Sequence, residues 1–123
     1  MEVVAAVIKK NDQYLIVQRN KNKHLPLKWE FPGGKVEPNE TFKEALKREI
    51  KEELEIEISI IKKITEEKYK DEKIDITLHY FECLHIAGKI LLNEHENSIW
   101  ILQKDMHAYD FVEADGRLIK YLL

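Results

Sequence analysis

Apolar residues recur at steps of three and four from Asn39 to Leu54 (Phe42, Ala45, Leu46, Ile50, Leu54), the period of an amphipathic helix. This one long helical stretch lies between two blocks of strand-like sequence. Upstream, Val3–Ile8 and Tyr14–Val17 are apolar runs joined by the turn residues Lys10-Asn11-Asp12, which predicts a hairpin closed by Arg19. Downstream, alternation over Ile56–Ile60 continues as a charged strand to Lys70. A turn at Lys70–Lys73 and a return strand from Ile74 to Ile86 complete a second hairpin. Ile99–Leu102 is a further strand, Gln103–His107 a short helix, and Ala114–Leu122 a terminal helix interrupted by Gly116. Strands and helices interleave without a repeated strand–helix–strand period. The pattern therefore predicts an α/β (α+β) domain over 1–123, with a mixed sheet and helices packed on its faces, rather than a doubly wound parallel sheet.

The segment before the helix, Trp29-Glu30-Phe31-Pro32-Gly33-Gly34, predicts a tight loop with unusual glycine dihedrals. Asn39 is a suitable N-cap, and Thr41 with Glu44 offers a second, capping-box register. Lys43, Lys47 and Lys51 share the outer helix face with Glu40, Glu44 and Glu55, an ordinary solvated arrangement. Glu49, Glu52 and Glu53 instead fall toward the direction of Phe42 and Ala45, with no lysine among them. Glu49 and Glu53 are like charges four residues apart, a destabilising relation unless a cation sits between them. Arg48 is spaced to serve Glu52 but cannot neutralise three carboxylates. A hard divalent cation such as Mg²⁺, which rests on a few carboxylates plus substrate phosphates, answers that need.

Charge excludes other classes. The 123 residues carry 20 Lys+Arg against 23 Asp+Glu, a net charge of −3, which offers no electrostatic footprint for a nucleic-acid polymer. No apolar run is long enough to span a membrane. Cys83 is the single cysteine, expected buried and inert, so a cytoplasmic location is expected. His24, His79, His85, His95 and His107 have no metal-ligand spacing and are expected on the surface or on strands.

Gly34, Glu40, Arg48-Glu49-Ile50, Glu52-Glu53 and Ile56 stand at the offsets of G-x5-E-x7-R-E-U-x-E-E-x-G-U, where U is apolar. This resembles the Nudix box of the Nudix hydrolases, with one departure: Glu55 occupies the glycine position that usually ends the helix in a left-handed conformation. Trp29–Glu37 is similar to the MutT-type branch, which includes 8-oxo-dGTP diphosphatases and CTP pyrophosphohydrolases. The resemblance implies an α/β/α sandwich. It also implies Mg²⁺, with Mn²⁺ as a substitute, on Glu49, Glu52, Glu53 and the Gly33 carbonyl, joined by Glu94 from a later loop. Arg48, Glu49, Glu52 and Glu53 would carry the catalysis, Glu49 or Glu53 acting as base. Glu40 would pair with Arg48 to hold the helix against the Gly34 loop, and Arg19 would contact phosphates.

Three residues are candidates for the base. Phe31 is either a stacking surface or core; Tyr80 is either pocket wall or core. Asp115 matches the tail position that presents Asn or Asp to the base in MutT-like enzymes, and it could equally serve as a helix N-cap. As a base contact, a carboxylate accepts from both N1–H and the 2-amino group of a guanine edge. The expected activity is hydrolysis of a nucleoside triphosphate to the monophosphate and pyrophosphate by a monomer or homodimer, with an oxidised guanine nucleotide as substrate. CTP or a modified dCTP is the alternative, and a non-catalytic nucleotide-binding Nudix module is the rival from another class.

Overall fold

The computed structural model describes residues 1–122. Seven strands form one mixed sheet: β1 (Glu2–Lys10), β2 (Gln13–Gln18), β3 (Trp29–Glu30), β4 (Gly33–Lys35), β5 (Glu57–Lys70), β6 (Asp75–Ala87) and β7 (Asn97–Leu102). The order is β3-β2-β1-β6-β5, with β4 paired to β1 and β7 to β2. The β1–β6 pair is parallel, and the pairs of β1 with β2 and β4, β2 with β3 and β7, and β5 with β6 are antiparallel. Both expected hairpins are present. Asn11 makes the first turn in a left-handed conformation, φ 56°.

Alternation along β1 sends side chains to two cores. Val4, Ala6 and Ile8 pack with Leu15, Val17, Phe81 and Cys83 against Ala45, Leu46, Ile50 and Leu54 of helix α1 (Phe42–Leu54). Ala5 and Val7 face the other way, with Ile16, Tyr80 and Ile101, against Met106 and against Ala114 and Leu118 of helix α2 (Glu113–Leu118). A helix on each face of the sheet makes the α/β/α sandwich expected from the sequence. Single 3-10 segments, Gln103–Ala108 and Ile119–Tyr121, flank α2. Burial holds the Cys83 thiol well above its ordinary range, at about 12.

Three local expectations are corrected. The cap of α1 is Thr41, closed by the reciprocal Glu44 capping box; Asn39 is left-handed (φ 67°) outside the helix. Gly33 and Gly34 do not have positive φ and belong to a strand. What they require is closeness, since a Cβ on Gly33 would lie 1.9 Å from the Val4 carbonyl oxygen of β1, a distance no real atom pair tolerates. His95, expected on the surface or on a strand, lies in the β6–β7 loop with its side chain only 7% exposed, whereas His79 is on strand β6 as expected and is buried there. The departure at Glu55 is accommodated: the residue adopts the left-handed conformation (φ 58°, ψ 31°) and ends the helix where glycine would.

Candidate active site

The β1–β4 pairing lays Gly34 beneath α1, and the absence of a side chain there admits the Glu49 carboxylate, whose Oε2 lies 2.2 Å from the point a Cβ would occupy. Arg48 fixes the same region. Its Nε and Nη2 donate to Glu40 at 2.7 and 2.9 Å, its Nη1 to Glu49 at 2.8 Å and Glu52 at 3.2 Å, and its Nη2 also to the Lys35 carbonyl at 3.0 Å. Glu40 is consequently held at about 2, first through its hydrogen bond from Arg48. The helix is thus tied to the loop that leads into it through both oxygens of the Glu40 carboxylate, and to β4 through the Lys35 carbonyl.

The three glutamates have different environments. Glu53 is 6% exposed, and its Oε1 is buried with no hydrogen-bond partner. Its pKa is pushed up to about 10, first by burial, then by its hydrogen bond with Glu49 and the charges of Glu49, Glu30 and Glu94. Glu49 lies between Arg48 and Glu53. Glu52, expected to lean inward with them, has a side chain 58% exposed and lies on the Arg48 side. Among the described residues no three acidic, His or Cys side chains converge into a ready-made metal cage. The donor set nevertheless suits a hard cation: an orphaned buried oxygen on Glu53, the Glu49 carboxylate beside that side chain, and further negative charge around both.

The end of α1 also positions the later loop. The Leu91 and Asn93 amides donate to the carbonyls of Leu54 and Glu53 at 3.0 and 3.1 Å, and Asn93 Nδ2 donates to the Glu52 carbonyl and to Glu55. Glu94 follows directly, half-exposed, with its carboxylate 3.7 Å from Lys23 Nζ.

Glu49, Glu53 and Glu94 line a cavity of about 920 Å³, together with Gly33, Gly34, Arg19, Phe31 and Asp115. Arg19 is held at two edges, Nη1 on Glu30 at 2.8 Å and Nε on the His24 carbonyl at 2.7 Å. Phe31 is both buried and part of the lining, its ring against Phe111 and edge-on to Tyr80. Of the alternatives for Tyr80, core is the outcome: it is fully buried, outside the lining, and donates its hydroxyl to Asp115 Oδ1 at 2.5 Å. Asp115 Oδ2 accepts the Phe31 amide at 2.8 Å. This aspartate is not an N-cap, because α2 begins after Val112 with no side-chain cap. Buried to 2% exposure, it is raised to about 7, first by that burial. The sequence reading missed Glu30, His24 and His95, which also line the cavity. Their signal is the pairings of Glu30 with Arg19 and His95, and of His24 Nε2 with Asp71 at 3.0 Å, which become visible only in three dimensions.

Comparison with known proteins is consistent across the chain. The NUDIX domain family matches residues 1–122. A CTP pyrophosphohydrolase of Escherichia coli (strain K12) is 32% identical over 98% of this chain and 89% of its own length. An 8-oxo-dGTP diphosphatase of Buchnera aphidicola subsp. Schizaphis graminum (strain Sg) is 35% identical over 95% of this chain and 88% of its own. The crystal structure of a MutT NUDIX hydrolase from Burkholderia pseudomallei superposes with a TM-score of 0.90 at 21% identity, covering 99% of this chain and 97% of that one, and so shares the fold.

Proposed function

This chain belongs to the Nudix family of hydrolases acting on nucleotide substrates, and on that premise we propose that it cleaves a nucleoside triphosphate to the monophosphate and pyrophosphate, with an oxidised guanine nucleotide as preferred substrate. The observation that carries the reading is Asp115. Its carboxylate is fixed by Tyr80 and the Phe31 amide at the wall of the same cavity that the α1 carboxylates line. Each carboxylate oxygen keeps lone-pair capacity, so the ionised side chain accepts from N1–H and the 2-amino group of a guanine edge, with Phe31 beside it to bound the base.

Nudix hydrolases generally use divalent metal ions. Here Glu49, Glu52, Glu53 and Glu94, with the Gly33 carbonyl, would hold Mg²⁺ or Mn²⁺. Bound there, the ion supplies charge neutralisation for the phosphate chain and its leaving group. Arg48 keeps Glu49 beside Gly34, and Arg19 orients the phosphates. Glu49 or Glu53 takes the proton of the attacking water as its oxygen bonds to phosphorus and the bridging P–O bond breaks. The buried wall formed by Phe31 and Ala114 keeps bulk water from the base.

A second reading has its own support. Because Asp115 titrates at about 7, its protonated form is populated at neutral pH and supplies a donor for cytosine N3. The test is a panel of 8-oxo-dGTP, dGTP, CTP and 5-substituted dCTP, scored by pyrophosphate release at pH 6 and pH 8. Preference for 8-oxo-dGTP over CTP should widen as pH rises. Equal loss on both nucleotides in Asp115→Ala would remove Asp115 from base selection. No turnover of any nucleotide, with binding retained, would indicate the non-catalytic module.

A further inference from the structure

One buried side chain in the cavity wall has no task in the account above. The side chain of His95 is 7% exposed, yet only one ring nitrogen is paired. Its Nε2 lies 3.0 Å from Glu30 Oε2, and its Nδ1 is buried with no hydrogen-bond partner among the described residues. A carboxylate only accepts, so Nε2 carries the hydrogen and donates. A buried ring with one nitrogen unpaired is a poorer core residue than an apolar side chain of similar size. Stability therefore does not account for a histidine here, and the partner carboxylate does.

Glu30 Oε1 accepts from Arg19 Nη1, so its two oxygens join His95 to Arg19. His95 immediately follows Glu94, in a segment pinned on one side by the Asn93 amide to α1 and on the other by the Glu96 amide to the Gln18 carbonyl at 3.0 Å. Arg19 directly follows β2. The path His95–Glu30–Arg19 thus runs from the Glu94 segment, across β3, to the end of β2, and all three side chains line the cavity. Between its anchored ends, among the described residues, this segment is tied to the sheet through His95.

We propose that Glu30 and His95 are positioning residues for the hydrolysis, their hydrogen-bonded path to Arg19 holding the Glu94 segment and the Arg19 guanidinium in fixed relation on the phosphate side of the cavity. This rests on the reading that Arg19 and Glu94 serve the phosphate chain. The test uses His95→Leu, which removes the donor, His95→Gln, which returns an amide N–H, Glu30→Gln, and the double variant Glu30→Gln with His95→Leu. Rates are measured on 8-oxo-dGTP and CTP, affinity for tripolyphosphate in Mg²⁺ by calorimetry, and stability by thermal melting.

His95→Leu should melt at or above the wild-type temperature, yet lose about tenfold in kcat/KM on both nucleotides and bind tripolyphosphate about fivefold more weakly. His95→Gln should recover most of both losses, and the double variant should be no worse than Glu30→Gln alone. Wild-type rate and affinity in His95→Leu would overturn the proposal. So would a loss that follows a lowered melting temperature and is not rescued by glutamine. A wild-type enzyme inactive on both nucleotides would defeat the substrate reading, while the tripolyphosphate measurement still decides this one.

Discussion

Gly34→Ala separates the geometry of the candidate site from the stability of the fold. The added Cβ would lie 2.2 Å from Glu49 Oε2 and 2.3 Å from its carboxyl carbon, where contacts under 3.0 Å force a shift. The colliding group is the end of a flexible side chain, so the carboxylate retreats by roughly 1 Å, a displacement able to cost about a hundredfold in rate. That factor corresponds to about 2.7 kcal/mol of transition-state stabilisation. Gly34 has no positive φ, so alanine suits its backbone, and the loss of unfolded-state freedom offsets part of any packing cost. Gly33→Ala is the control. There the Cβ meets backbone, 1.9 Å from the Val4 oxygen and 2.8 Å from the Ala5 Cα, so the β1–β4 pairing itself must open. Steady-state kinetics with Mg²⁺ and thermal melting should show Gly34→Ala nearly as stable as wild type with kcat about a hundredfold lower, and Gly33→Ala strongly destabilised. Near-normal kcat in Gly34→Ala, or melting as low as that of Gly33→Ala, would refute the reasoning.

Glu53→Gln should lower kcat by about 10²-fold or more while leaving the melting temperature unchanged or higher, since burial and the neighbouring Glu49 charge favour the neutral carboxyl in the empty site and glutamine is its uncharged isostere. EDTA should abolish turnover and Mg²⁺ or Mn²⁺ restore it; added Mg²⁺ should raise the wild-type melting temperature more than that of Glu53→Gln, and equal shifts would place the cation elsewhere. Asp115→Ala should raise KM for 8-oxo-dGTP far more than for CTP at pH 8. Because Asp115 has a folded pKa of about 7 against an ordinary 3.8, its contribution to stability is full below about pH 4 and is lost as pH rises through 7, a change of up to about 4 kcal/mol. Urea denaturation at pH 5 and pH 7.5 should show this slope in wild type and a shallower one in Asp115→Asn.

The elements were legible where period and phase are local. The apolar spacing of α1 and the two hairpins follow from patterns within one segment, and the glutamate offsets identify the family on their own. Partnership across the fold was less legible. Asn39 and Thr41 are both acceptable caps in sequence; Thr41 prevails because Glu44 completes its capping box. A pair of glycines after proline resembles a turn, and only the approach of Val4 and Glu49 reveals that they are needed for lack of a side chain. Helical phase alone grouped Glu52 with Glu49 and Glu53, but Arg48 holds it on the exposed side. For Tyr80 the sequence leaves pocket wall and core open, because its depth beneath Asp115 depends on α2, whose position no local pattern encodes. Glu30 and His95, far apart along the chain, carry no signal until the sheet brings them together.

β1 bonds to β2, β4 and β6 and divides its side chains between both cores. Its central amides therefore have no route to solvent short of disassembling the sheet, and should exchange with deuterium at the rate of global unfolding. The glycine strand β4 is docked on this same strand through Val3, Val4 and Ala5. Heat or denaturant should thus erode the floor of the cavity only when the sheet itself is lost, so hydrolysis and the slowest-exchanging amides should disappear in one transition.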